Sequence, residues 1–191
     1  MRDRIIIPRL YPKWLARLCR LGGDHSGVAL MEFAIVCPIL LLLFLGGTQY
    51  ADAISCGRKV TITARAVADL TSQYAVLSAS QADTILSASA QVMSPYTTGN
   101  ALVRVSSIKI NSAGAGVVQW SRALNGTKLA TNSTVTVPST LAVAGTYYLY
   151  SEVTYPWTPQ FTLAGLISSK SLTDQFLLLP RVSTSVSCND C

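Results

Sequence analysis

Residues 27–50 read GVALMEFAIVCPILLLLFLGGTQY, and how this stretch is read decides the fold. It holds one acid, Glu32, no base, and an apolar run from Phe33 to Gly47 interrupted only by Pro38. As a helix from Val28 to Tyr50 it is about 34 Å long at ~1.5 Å per residue. That is enough to cross a hydrocarbon core of roughly 30 Å. An acid at mid-membrane costs roughly 2.5–3.5 kcal/mol on insertion scales, so Glu32 points to a function or a partner.

Composition agrees with a single-span protein. Half of the 191 residues are hydrophobic and mean hydropathy is positive. The net charge of +6 is concentrated in residues 1–27, where Arg2, Arg4, Arg9, Lys13, Arg17 and Arg20 face only Asp3 and Asp24. A basic tail against an apolar span reads as a topology signal with the tail in the cytoplasm. It does not read as a nucleic-acid surface, which needs basic residues on a face of a folded domain. The expected organisation is a basic cytoplasmic leader (1–27), a transmembrane helix (28–50), a helical stem with a second helix (51–95) and an antiparallel β-rich domain (96–191). In a bacterium that last portion lies in the oxidising periplasm, where disulfides persist.

Beyond the span, Val60, Ala64, Val67, Tyr74 and Leu77 recur at helical intervals, with Asp52, Lys59, Arg65 and Asp69 between them. The pattern predicts an amphipathic stem to about Tyr74 or Leu77. Ser80 with Asp83 three residues on reads as a capping box. A second helix over 80–93 follows, with Ile85, Leu86, Ala88, Val92 and Met93 for its buried stripe and Pro95 ending it. After Asn100 the period changes to two. Strands are expected over 102–110, 117–122, 146–155 and about 175–186, with Pro156 and Pro159 terminating the third and Pro180 placing the fourth at an edge or bulge. Asn125-Gly126-Thr127 and Asn132-Ser133-Thr134 read as turns. The fold class is α+β, with helix packed on one face of a small antiparallel sheet.

Catalysis finds little support. The only histidine is His25 in the leader, and there is no phosphate loop, no G-x-S-x-G and no metal-ligand cluster. No enzyme activity, cofactor, metal or small-molecule substrate is expected. Cys188-Asn189-Asp190-Cys191 ends the chain with no helix after it, so a redox-active thiol is disfavoured. A disulfide between Cys188 and Cys191, or between either and Cys56, is expected.

That leaves Gly27-Val28-Ala29-Leu30-Met31-Glu32-Phe33. This segment resembles the processing site of type IV-like prepilins, in which a peptidase cuts after a glycine and a glutamate is fifth in the mature chain. Glu32 is fifth when Val28 is first. The continuation, with Pro38 eleventh and a leucine run, resembles the TadE/TadG-like minor pseudopilins of tight-adherence (Tad/Flp) pilus systems. Ala68–Gln73, Ser94-Pro95-Tyr96, Val118–Ser121 and Ser151–Tyr155 look like that family's outer portion. The resemblance implies a pilin-like structural subunit of the bacterial inner membrane, cut between Gly27 and Val28, with Glu32, Phe33 and Pro38 as its assembly motif. It implies as partners a prepilin peptidase, other pseudopilins, the major pilin and the Tad inner-membrane assembly platform, with incorporation into a surface pilus.

Physical chemistry supports the motif independently. Cleavage exposes the Val28 ammonium at the head of an apolar helix, with Glu32 one turn on. In a bundle, the carboxylate of one subunit meets the ammonium of its neighbour, which favours one axial register. Two alternatives stand beside this reading. One is an uncleaved single-span anchor carrying a periplasmic interaction domain. The other is Sec-type cleavage after Ala51-Asp52-Ala53.

Overall fold

The computed structural model describes residues 26–161, 165 and 167–191. The leader up to His25, including Cys19, lies outside the described residues. The chain divides into two compact units, one up to Leu45 and one from Gly46 to Cys191.

The first helix, α1, spans Ser26–Ser72 and contributes to both units. In the first unit it carries Pro38 in its interior. Its large apolar side chains are exposed on every face, from Leu42 at 47% to Leu30 at 71%, and none of its most apolar window is buried. A helix apolar all round belongs in a protein core or in lipid, and this one is long and apolar enough to cross a membrane.

In the second unit α1 becomes a core helix. Cys56, Val60, Ala64 and Val67 are buried, repeating at intervals of three and four. Its polar residues stay helical because their hydroxyls bond back one turn: Thr63 Oγ1 donates to the Lys59 carbonyl (2.8 Å) and Thr71 Oγ1 to that of Val67 (2.7 Å). The helix stops at Ser72, whose carbonyl accepts from the Arg181 N–H at 3.1 Å. Tyr74 is therefore out of helical phase and 38% exposed, contrary to its expected place in the stem. Leu77 is buried, but as part of a two-residue strand, β1 (Val76–Leu77).

The second helix, α2, spans Ala79–Ala90 and continues as a short 3-10 turn over Gln91–Met93. Its capping box is Ser78 with Gln81, two residues earlier than the expected Ser80 and Asp83. Asp83 instead pairs with Arg122 on a neighbouring strand. Ile85, Leu86 and Met93 are buried as expected; Ala82, Ser89 and Ala90 join them, while Ala88 is exposed and Val92 only half-buried. Starting the helix at Ala79 aims its stripe by Ala82, Ile85, Leu86 and Ser89, which leaves Ala88 on the outer face.

The strands β2 (Leu102–Ile110), β3 (Gly116–Leu124), β4 (Thr134–Val135), β5 (Tyr147–Trp157) and β6 (Lys170–Leu178) form an antiparallel sheet in the order β4-β3-β2-β5-β6. A short β7 (Ser187–Cys188) runs parallel to β1. Two boundaries differ from the sequence reading. Strand β5 continues through Pro156, because β2 ends opposite Thr154 and asks no hydrogen bond of Pro156 on that side. Strand β6 lies earlier than 175–186, since pairing with Leu149–Trp157 of β5 brings Lys170 opposite Trp157, and Pro180 falls after the strand. It is nonetheless an edge strand.

One face of the sheet packs on the helices. Val103 and Val105 of β2 and Leu149, Val153, Tyr155 and Trp157 of β5 join Cys56, Val60, Ala64, Val67 and α2 in one core. Ser151 is buried among them and donates to the Ala64 carbonyl at 2.7 Å. A bulge between Ser107 and Ile108 pairs Ser107 with Trp120 but Ile108 with Val118, leaving Gln119 as the extra residue. Trp120 therefore points into the main core, and its indole N–H donates to the Val186 carbonyl at 2.8 Å. Val118 turns to the opposite face. There it forms a second core with Ile108, Ile110, Val137, Tyr148 and Tyr150, against Leu129, Val135 and Leu141 of the β3–β5 connection. Asn125 and Asn132 adopt positive φ (55° and 66°), as turn residues do.

Candidate functional site

Gly27 and Val28 fall in the first turn of α1. The first four N–H groups of a helix have no intrahelical acceptor, so this turn is the least costly part to unwind. Glu32 lies one turn beyond Val28 on the same side of the helix. It is exposed, and it is the only charged residue between Gly27 and Tyr50. Phe33 and Pro38 are exposed too. Pro38 has no N–H to offer the Ala34 carbonyl one turn back. The chemistry available here is pairing, through one carboxylate and an apolar surface on all sides.

The cysteines separate by environment. Cys188 and Cys191 are joined in a disulfide, with Cα atoms 5.6 Å apart. Asp190 inside that short loop accepts from the Ala79 N–H at 2.9 Å, which ties the chain end to the start of α2. Asp190 lies close to both sulfurs, but the disulfide leaves no thiolate to bind a metal. Cys56 is a free, fully buried thiol in α1. Burial, with the Asp52 carboxylate nearby, pushes it up to about 11, so it is unreactive at neutral pH.

A polar cluster not foreseen from sequence lies at the start of the second unit. Asp52 accepts from the indole N–H of Trp157 at 2.8 Å and from the Tyr96 hydroxyl at 2.9 Å. Tyr96 meets Tyr155 edge to face, centroids 5.9 Å apart. Burial raises the pKa of both tyrosines. Gln49, nearly one turn before Asp52 and itself buried, accepts from the Gln160 N–H at 2.9 Å. These bonds fix the end of β5 and the loop after it to α1 just past the apolar run. The sequence signal was the spacing of Gln49 and Asp52, two polar residues three apart on one side of the helix just past the apolar run. Trp157, the partner of Asp52 on β5, is 105 residues away.

The architecture defines a class: a membrane-span candidate helix whose continuation is the core helix of a small α+β domain. Residues 27–69 match the family model described as TadE-like protein, which is consistent with a TadE/TadG-like protein of the Tad pilus. The match begins at Gly27 and covers the span and most of the stem. Among the segments that resemble the family's outer portion, Ala68 and Asp69 lie at its end and the others fall beyond it. No curated protein and no solved structure matches the chain.

Proposed function

We propose that the chain is a minor pseudopilin-like subunit of a Tad-type pilus, cut by a prepilin peptidase between Gly27 and Val28 and assembled through the N-terminal part of α1. One observation carries this reading. The family match opens at Gly27, on a helix whose only charge before Tyr50 is Glu32 and whose large apolar side chains are exposed. A single-span anchor needs apolar length but has no use for a carboxylate five residues from its start. A subunit that packs among similar helices does, because its Glu32 neutralises a neighbour's Val28 ammonium where neither is well solvated. The role is structural. The basic leader places residues 1–27 in the cytoplasm and the α+β domain in the periplasm. Other pseudopilins, the major pilin and the inner-membrane assembly platform are the partners.

The test is the N-terminal residue of the protein recovered from membranes. Val28 supports the proposal, whereas intact Met1 leaves an uncleaved anchor and Ile54 indicates Sec-type processing. The companion test is Glu32→Ala. Cleavage should persist and assembly fail; normal piliation by the variant refutes the pairing role.

A further inference from the structure

The outward face of α1 in the second unit plays no part in the pairing at Glu32. Cys56, Val60, Ala64 and Val67 turn to the core, which leaves Ile54, Arg58, Ile62 and Arg65 on the opposite side, all exposed. Ile54 is 43% and Ile62 51% exposed. Ala51, Arg58 and Arg65 recur every seven residues, about two helical turns. They therefore stand in one line, with Ile54 and Ile62 flanking it on either side. Apolar residues along such a line form the seam between two packed helices, and a charge at its repeating position decides which helix is accepted.

The charges on this seam are unbalanced. Neither Arg58 nor Arg65 enters any of the ion pairs among the described residues. Arg65 lies over the Phe176 ring, its Cζ 5.4 Å from the centroid, a contact that orients a cation without neutralising it. The carboxylates of this part of α1 and of the strand beside it are engaged elsewhere. Asp52 accepts from Trp157 and Tyr96, Asp69 pairs with Arg181, and Asp174 accepts from Thr61. A parallel second copy in register would set Arg58 against Arg58 and Arg65 against Arg65. Like charges opposed across an interface disfavour the pair. A copy shifted along the axis offers no unengaged carboxylate from this part of the helix.

We propose that the face of α1 formed by Ile54, Arg58, Ile62 and Arg65 receives a helix of a different chain, one that carries carboxylates seven residues apart among apolar residues, and that the two arginines keep a second copy of this chain out of that place. The proposal rests on the reading of the chain as an assembly subunit and narrows its partners on this face to an anionic helix. Ile54 and Ile62 supply the apolar contact, and the arginines set register and partner. An anionic lipid surface fits less well, because it accepts cations at any spacing and gives no reason for two of them in line.

The test replaces Ile62 of the full chain with the photo-crosslinker p-benzoylphenylalanine, in cells that make the pilus, with exposed Thr84 on α2 as the control site. The Ile62 adduct is digested and sequenced by mass spectrometry. Attachment to a different chain, on a helix with acids seven residues apart, is the expected result. Arg58→Glu with Arg65→Glu should lower that adduct at least about fivefold. Arg58→Lys with Arg65→Lys should keep it, which separates lost charge from a lost fold. Co-expressed with the unsubstituted chain, the doubly reversed variant should in turn give an adduct with that chain. A second copy or a lipid as the main Ile62 adduct of the parent overturns the proposal. So does an adduct no stronger at Ile62 than at Thr84, or one indifferent to charge reversal. The N-terminal residue is read on the same material. Met1 with the acidic-helix adduct sinks the processed-pilin reading and keeps the seam; Val28 without that adduct sinks the seam alone.

Discussion

Asp52→Ala removes the acceptor for two side chains drawn from distant parts of the chain. Trp157 is only 5% exposed, and its indole N–H donates to the Asp52 carboxylate at 2.8 Å. Without that acceptor the N–H is stranded, which costs about 1–3 kcal/mol. The Tyr96 hydroxyl loses less, because it also lies 3.1 Å from the Asp52 backbone carbonyl and is only partly buried. The sum is a destabilisation of about 2 kcal/mol, a large share of the roughly 5–15 kcal/mol that holds a typical domain together. Trp157→Phe removes the donor and leaves the carboxylate bonded to Tyr96, so it should cost about 1 kcal/mol in hydrogen bonding. The double variant should cost less than the two singles added, with a coupling of about 1–2 kcal/mol. Urea denaturation of the full chain in detergent, followed by circular dichroism, measures all four corners of the cycle. Additive costs, or an Asp52→Ala variant as stable as the parent, would refute the claim that this bond pins β5 to α1.

Further outcomes follow from the packing. A Cβ on Gly116 would lie 2.8 Å from Ile108 Cδ1 and 3.0 Å from Val137 Cγ2, so Gly116→Ala should cost about 1–3 kcal/mol by overpacking the second core. Gly57 has nothing within 4 Å and lies inside α1, so Gly57→Ala should instead stabilise the domain by roughly 0.5–1 kcal/mol in the same denaturation assay. Alkaline pH should unfold the domain progressively. Burial lifts Cys56 from 9.0 to about 11; burial, then the Glu152 carboxylate, lifts Tyr150 from 10.0 to about 12. Both groups hold their protons more tightly when folded. Their contribution is complete below the unfolded values and is lost as pH rises from about 9 to about 12, which urea midpoints across that range will show. Cys188→Ser opens the loop that presents Asp190 to the Ala79 N–H, and by loop closure alone should cost about 1–2 kcal/mol. Adding reductant should lower the stability of the parent to that of the variant and leave the variant unchanged.

The reach of the sequence differed between the two ends of the chain. For the span it was nearly complete, because lipid-length apolarity and the lone Glu32 are properties of consecutive residues. The α+β order, the strands around 102–110 and 147–155, and the turns at Asn125 and Asn132 were likewise local signals of period and backbone preference. What failed failed at boundaries. The cap moved from Ser80 to Ser78 and the last long strand began at Lys170, because those positions are set by what packs or pairs opposite. The Asp52–Tyr96–Trp157 cluster was hidden for the same reason: each residue is ordinary in its local setting, and only the fold brings them together.

The chain by itself therefore determined that there is an apolar helix with one carboxylate near its start, followed by an α+β domain. The pattern of Val60, Ala64 and Val67 already marked the later part of that helix as amphipathic; tertiary structure alone decided which residues of the sheet cover that stripe, Val103, Val105, Leu149 and Val153 among them. It also decided that a single bulge at Ser107 sends Trp120 and Val118 to opposite cores. The physical reason is that periodicity records which face of an element is apolar. Which partner covers that face depends on contacts between residues far apart in sequence.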